Sequence, residues 1–250
     1  MTSNENHPSI GGRPGVFAST HWSVVLEAGE AASPHADRAL NSLCQTYWFP
    51  LYAYIRRRGF DTHAAQDLTQ EFLARLIAKR ELPKANPEKG RFRFFLLLRL
   101  KHFLINEWER LRAEKRGGGA SAVSLDALDA EQRYALEPSH EATPERIFER
   151  RFALTVIENA LARLRLEWIS SGRHEPFDAL KEFLTADGGG DSYDELGTRL
   201  GITAGALRVT VHRLRQRWRE LVREGIAQTI AGPSDLDAEI RHLIDAIRNG

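Results

Sequence analysis

Arginine side chains concentrate in one stretch near the C-terminal end of the chain, residues 203–225, which holds six arginines against two glutamates. A guanidinium group pairs with phosphate and can donate two parallel hydrogen bonds to the edge of guanine. His212 lies among these arginines and adds a further polar group. The chemistry that this stretch indicates is the binding of nucleic acid.

Two helices joined by a tight turn are needed to present those side chains. Ser192 and Glu195 have the spacing of a capping box, and Gly201 is suited to end the first helix. Thr203 can cap the second helix. The second helix then has one apolar stripe, formed by Leu207, Val211, Leu214, Trp218 and Leu221. This pattern predicts a helix-turn-helix whose second helix enters a DNA major groove.

The alternative is a structural helical hairpin with a solvated charged face, because short helix pairs with a glycine turn are common in all-helical proteins. Gly205 and Ala206 favour DNA contact, since small residues near the start of the second helix allow its backbone to approach a groove closely. We therefore favour the DNA-binding interpretation.

A second basic stretch, residues 91–116, holds eight basic residues against three glutamates and interleaves them with aromatic side chains. Basic groups that follow a nucleic-acid backbone, together with aromatics that stack on bases, are what single-strand binding requires. The competing interpretation for Phe94, Phe95 and Trp108 is core packing, and for most of these aromatics we favour it.

The preceding helix, predicted from Asp61 or Thr62 to about Lys79, has an apolar face and a polar, acidic face. Gln66, Asp67, Gln70 and Glu71 lie on the polar face, which predicts contact with basic or polar groups of a partner.

The fold class predicted from these patterns is all-α, because apolar residues recur at helical spacing and no stretch alternates as a strand does. Gly117–Gly119, together with seven acidic against two basic residues between positions 117 and 149, mark a flexible acidic linker. Three apolar residues of this linker, Leu125, Leu128 and Tyr134, are able to dock elsewhere on the protein. The predicted organisation is an N-terminal extension (1–35), a first helical domain (36–116), the linker (117–143), a second helical domain (144–225) and a C-terminal helical extension (226–250).

Several classes of protein are disfavoured by what the sequence lacks. The single cysteine, Cys44, forms no internal disulfide framework, and no His or Cys pair has metal-ligand spacing. We found no nucleophile elbow and no phosphate-binding loop, so we predict no catalytic residue, no metal and no cofactor. No apolar run approaches the roughly 20 residues of a membrane span, and the N-terminus does not have the pattern of a signal peptide. These features predict a cytoplasmic protein.

Three stretches, taken in order, resemble a sigma-70-family RNA polymerase sigma factor of the extracytoplasmic-function (ECF) kind, which keeps only sigma regions 2 and 4. The stretches are LYAYIRRRGFDTHAAQDLTQEFLARLI, GRFRFFLLLRLKHFLINEWERLRAEKR and YDELGTRLGITAGALRVTVHRLRQR. The resemblance covers about residues 36–116 as region 2 and 144–225 as region 4. It departs from the family at Gly197, where alanine is usual, and at Val209, where a polar residue is common.

The resemblance implies a role for each matching position. Core polymerase would be bound by Asp67, Leu68, Gln70, Glu71 and Phe72. The minus-10 promoter element would be contacted by Asn86, Lys89, Arg91, Arg93, Lys101, His102, Asn106 and Arg110. The minus-35 element would be contacted by Thr203, Gly205, Arg208, Val209, His212, Arg213 and Arg215. Of the arginines on this helix, Arg215, Arg217 and Arg219 would meet phosphate or solvent rather than bases.

The resemblance also implies partners: core RNA polymerase, through its β′ clamp and β flap, and promoter DNA. It leaves open an anti-sigma factor or a regulatory kinase as a further partner, and a role for the terminal extensions in holding the domains. Two other hypotheses remain. One is a helix-turn-helix regulator that binds DNA without joining the polymerase, and the other is a helical enzyme or scaffold.

Overall fold

A computed structural model of the chain describes residues 34–78, 91–114, 125–135, 142–172, 177–185, 192–230 and 235–249. Within these ranges the structure is helical and has no strand, so the predicted all-α class is confirmed. The helices in chain order are α1 (Pro34–Arg57), α2 (Thr62–Ala78), α3 (Phe92–Glu114), α4 (Leu125–Ala135), α5 (Pro144–Ser170), α6 (Phe177–Thr185), α7 (Tyr193–Leu200), α8 (Ala204–Ala227) and α9 (Leu236–Asn249).

The ends of α1 and α2 follow local sequence signals. Helix α1 continues through Pro50 and ends on Arg56 and Arg57, whose charge suits the negative end of the helix dipole. Gly59 then takes a positive φ of 92° in the turn. The Asp61 carboxylate accepts a hydrogen bond from the backbone N–H of Ala64 at 2.9 Å, which confirms the predicted cap of α2.

The first hydrophobic core lies among α1, α2, α3 and the N-terminal half of α5. Tyr47 of α1 stacks on Phe152 of α5 at 5.4 Å between ring centroids and meets the Phe92 ring of α3 edge-on at 5.5 Å. Ile226 of α8 and Leu243 of α9 are buried in the same core. The first core therefore includes residues from outside the predicted first domain.

The second hydrophobic core lies among the C-terminal half of α5 and helices α6, α7 and α8. Its buried side chains include Leu164, Trp168, Leu180, Phe183, Leu196, Leu207, Val211 and Leu214. Helix α5 is thus shared, with its first half in one core and its second half in the other.

The predicted linker contains a helix, α4, that docks onto α1, and Tyr134 is one of the three linker residues that were expected to be able to dock. In α4, the Glu131 carboxylate accepts hydrogen bonds from the Tyr52 hydroxyl at 2.6 Å and from Arg56 Nη2 at 2.7 Å. Tyr134 meets the Tyr52 ring edge-on. These partners lie more than 70 positions earlier in the chain, so the composition of the linker could not reveal them.

The C-terminal extension packs onto the rest of the molecule through α9, which lies against α5 and α8. Leu243 is buried in the first core, and the Glu239 side chain is completely buried. No helix in the described ranges is long and apolar enough to cross a membrane.

Candidate nucleic-acid interface

The best-formed candidate surface is the pair α7 and α8, which we call the recognition hairpin. Ser192 Oγ accepts from the backbone N–H of Glu195, and the Glu195 carboxylate accepts from the N–H of Ser192, so the predicted capping box is present. Those hydrogen bonds lower the pKa of Glu195. Gly201 ends α7 at a φ of 69°, and Thr203 Oγ1 accepts from the N–H of Ala206 at 3.2 Å to cap α8.

The turn of the recognition hairpin requires glycine at position 197. A Cβ atom placed there would lie 2.7 Å from the backbone carbonyl oxygen of Ile202, closer than real Cβ contacts. Alanine, which is usual in the family at this position, would therefore need a shift of the backbone. By contrast, a Cβ atom at Gly205 meets only open space.

The outer face of α8 is open to solvent. Leu207, Val211 and Leu214 are buried in the second core, while Val209 is 50% exposed. The Arg208 guanidinium lies 5.3 Å from the centre of the Tyr193 ring, a cation–π contact that positions it at the start of the helix. The predicted DNA contacts that share this exposed face are Thr203, Gly205, Arg208, Val209, His212 and Arg213.

Two arginines of α8 that were predicted to contact DNA or phosphate have hydrogen-bond partners within the protein. Arg215 Nε donates to the backbone carbonyl of Phe183 at 2.9 Å, so this side chain is directed toward α6. Arg217 donates twice to the Glu167 carboxylate, at 2.8 and 2.9 Å, and also bonds Glu220 and Glu224. The Arg217 hydrogen bonds lower the pKa of Glu167 and raise the pKa of Arg217. Both arginines bind protein groups rather than a free phosphate here.

Helix α3 presents a second candidate surface, on which His102 and Asn106 are exposed. These two side chains line a shallow cleft with Arg75 and Arg99. Arg75 is held there by ion pairs with Glu71 and with Glu107, the latter at 2.8 Å. Asn86, Lys89 and the side chain of Arg110 lie outside the described residues.

The other predicted cations of α3 are paired with carboxylates. Arg93 is completely buried, so the prediction that it contacts DNA does not fit this arrangement. Its guanidinium pairs with Glu149 at 2.8 Å and with Glu239 and lies over the Phe94 and Phe152 rings. Arg93 is buried because α5 and α9 pack against it, and the residue pattern of α3 alone does not indicate that packing.

An exposed apolar stripe runs along α3 and was not expected from the sequence. Phe94 and Trp108 are 44% and 52% exposed, which contradicts the core packing favoured for them, and Leu98 and Ile105 are also exposed. Their spacing of four, seven and three residues is the signal that could have revealed one helical face. Trp108 meets Phe60 edge-on at 6.2 Å.

The predicted polymerase-binding helix α2 divides into a buried and an exposed set. Asp67 and Gln70 are exposed, and Glu71 is partly exposed beside Arg75. Leu68 and Phe72 are buried in the first core, where Phe72 contacts the Phe103 ring, so these two position the helix rather than meet a partner. Among the described residues, no group of three or more histidine, cysteine or acidic side chains could hold a metal ion.

Residues 45–114 match the family model described as Sigma-70 region 2. The matched segment contains the second half of α1, all of α2 and all of α3, which are three of the helices that contribute to the first core. This segment of the chain is therefore similar to region 2 of the sigma-70 family. No solved structure matches the chain.

Proposed function

We propose that this protein is an ECF-type sigma factor that binds core RNA polymerase and directs it to promoters carrying minus-35 and minus-10 elements. The observation that carries the proposal is the presence in one chain of a sigma-70 region 2 segment and a separate recognition hairpin with an exposed basic face. Such a protein acts in the cytoplasm and catalyses no reaction itself.

The recognition hairpin would contact the minus-35 element. Arg208 and Arg213 are exposed on its outer face and suit bidentate hydrogen bonding to guanine. Val209 offers an apolar surface that suits a thymine methyl group. Thr203 and Gly205 lie at the start of α8, where the backbone can approach phosphate closely.

The minus-10 element would be contacted along α3. His102 and Asn106 are exposed and suit hydrogen bonding to bases. The exposed rings of Phe94 and Trp108 suit stacking on an unpaired strand. We also assign Asn86, Lys89 and Arg110 to the minus-10 contact, on the resemblance to the family alone.

Core polymerase would be bound mainly by α2. Asp67, Gln70 and Glu71 form its exposed polar face and suit basic groups of the β′ clamp. The second core, which includes the recognition hairpin, would meet the β flap. A DNA-binding regulator outside the polymerase would not need this polar face, so we do not favour that function.

The test is size-exclusion chromatography of the full chain mixed with bacterial core RNA polymerase. We expect the chain to co-elute with the polymerase and the D67A/Q70A double variant to be largely lost from the complex. Asp245 is exposed on α9, outside both surfaces proposed to meet the polymerase, so D245A is a matched control that should still co-elute. Sequence-specific DNA binding without co-elution of the native chain would favour the regulator.

A further inference from the structure

Tyr193, the first residue of α7, lies between the second core and an exposed arginine of α8. Its ring packs against Phe183 of α6, at 4.8 Å between ring centroids and an interplanar angle of 45°. The Arg208 guanidinium lies over the Tyr193 ring, 5.3 Å from its centroid. Phe183 is buried and Arg208 is exposed. Tyr193 therefore connects a buried ring to a side chain on the outer face of the recognition hairpin.

The Tyr193 ring is held in place by α6 and by the start of α7. The capping box of Ser192 and Glu195 sets the backbone conformation on both sides of it. The backbone carbonyl of Phe183 accepts a hydrogen bond from Arg215 Nε at 2.9 Å, which ties α6 to α8 at this point. A ring held in this way is able to restrict the conformations of a long side chain that lies over it.

The contact that Arg208 makes with a ring differs from the contacts of Arg215 and Arg217. Those two use N–H groups to bind a carbonyl or carboxylates. A cation–π contact is an attraction between the positive charge and the face of the ring, and it uses none of the five N–H donors of a guanidinium. Arg208 is thus restricted in orientation while its donors remain available for a base edge. Arg213 is also exposed, and among the described residues no ring contact restricts it.

A guanidinium that is already oriented favours guanine more strongly than a mobile one does. Bidentate hydrogen bonding to the O6 and N7 atoms of guanine requires one planar orientation of the donors. A long side chain loses rotamer freedom when it is fixed in a single orientation, and a ring that restricts it in the free protein reduces that loss on binding. The other bases do not offer this bidentate geometry, so the gain applies mainly to guanine.

We propose that Tyr193 is a positioning residue that strengthens the preference of the recognition hairpin for guanine at the base pair read by Arg208. It acts through Arg208 and touches no base itself. The inference rests on the proposed function, because it takes Arg208 to be a contact with the minus-35 element.

The test is selection of DNA from a pool of randomised duplexes, by the full chain alone and by the full chain with core polymerase, followed by sequencing of the bound DNA. The enrichment of each base at each position measures base preference. Partial unfolding lowers binding to every duplex alike, so this preference does not change when a variant only loses stability. R208A identifies the base pair that Arg208 reads, because the preference for guanine should fall there by at least about fivefold.

Y193L removes the ring and should lower the preference for guanine at that same base pair by about two- to fivefold, the effect of an exposed cation–π contact. The preference at the other selected base pairs should stay as in the native chain. Y193F keeps the ring and should keep the native preference. Y193M, whose flexible side chain fills irregular space, decides the outcome if Y193L does not fold.

L161A is the control for packing. Leu161 of α5 is also partly buried against the second core, and it belongs to neither helix of the recognition hairpin. L161A should lower the melting temperature and leave every base preference unchanged.

A native preference for guanine in the folded ring-free variant, at the base pair identified by R208A, would overturn the inference. Equal losses at every selected base pair in both Y193L and Y193M would assign Tyr193 a structural role and would also overturn it. If R208A leaves the selected sequence unchanged, Arg208 reads no base, and the inference fails while the proposed function stands. A native chain that selects no shared sequence, alone or with core polymerase, would contradict the proposed function and this inference with it.

Discussion

The two basic helices use their arginines in opposite ways. On α8, Arg208 and Arg213 lie on an exposed face, and their neighbours Arg215 and Arg217 bind groups of α6 and α5. At the start of α3, Arg93 and the preceding residue Arg91 are paired with carboxylates, and Arg93 is buried. Both helices have a basic sequence, so local charge does not distinguish a DNA-facing arginine from a structural one. The difference is made by carboxylates that other helices bring into reach.

Replacement of Arg93 should have the largest effect on stability. R93A would leave Glu239 buried without its main cation, and loss of one partner of a buried ion pair costs about 3–5 kcal/mol. Urea denaturation would measure it. R213A is the control and should change stability by no more than about 0.5 kcal/mol. An R93A variant as stable as R213A would show that the Arg93 ion pairs are not structural.

Alanine substitutions at Gly197 and Gly205 of the recognition hairpin should change the stability of the protein differently, because position 197 is tightly packed and position 205 is open. G197A forces a Cβ atom toward the Ile202 carbonyl and should destabilise the protein by about 1–3 kcal/mol. G205A enters open space and should be neutral or stabilise by up to about 1 kcal/mol. Equal melting temperatures for the two variants would contradict the close approach at Gly197.

Arg213 and Arg217 should differ in which property they change. R213A should weaken specific binding to a minus-35 duplex by about 1–3 kcal/mol and leave stability unchanged. R217A should leave that binding nearly unchanged and lower stability by about 1 kcal/mol or less, because its pair with Glu167 is only partly buried. Anisotropy titrations would measure DNA binding by both variants, and urea denaturation would measure their stability. Weaker DNA binding by R217A together with lower stability of R213A would contradict these assignments.

The smallest expected effect is a pH dependence of the α4 contact. Hydrogen bonds from Arg56 and Tyr52 lower the pKa of Glu131 below its ordinary value of 4.5. A lowered pKa in the folded state gives stability that is present above about pH 4.5 and is lost as the pH falls through the folded value. The urea midpoint of the native chain should therefore exceed that of E131Q at pH 6, and the gap should narrow as the pH falls below about 4.5. A gap that stays constant over this range would exclude the Glu131 contact as its cause.

Local features were predictable from the sequence because their causes are local. The capping box of Ser192 and Glu195, the left-handed Gly201 and the cap at Thr203 each depend on residues within four positions. The recognition hairpin was therefore predicted nearly to the residue. The exposed Asp67 and Gln70 follow from the helical period of α2 in the same way.

Other features were not predictable because their causes are distant in the sequence. Arg93 and Glu239 are 146 positions apart, and nothing in the basic pattern of α3 indicates an acidic partner at the other end of the chain. Helix α4 has a small, polar and acidic composition typical of a linker, and the partners that dock it, among them Tyr52, Arg56 and Arg151, lie elsewhere in the sequence. Leu68 and Phe72 were placed on the polymerase surface although their apolar side chains face the first core.

Under the proposed function, this chain gives core RNA polymerase its choice of promoter. The most direct measurement is transcription of fragmented genomic DNA from the same organism by core polymerase with and without the chain, with sequencing of RNA 5′ ends. We expect new start sites that share two upstream DNA elements, and we expect R208A/R213A to lose those starts while still binding polymerase. Start sites that are the same with and without the chain would contradict the account.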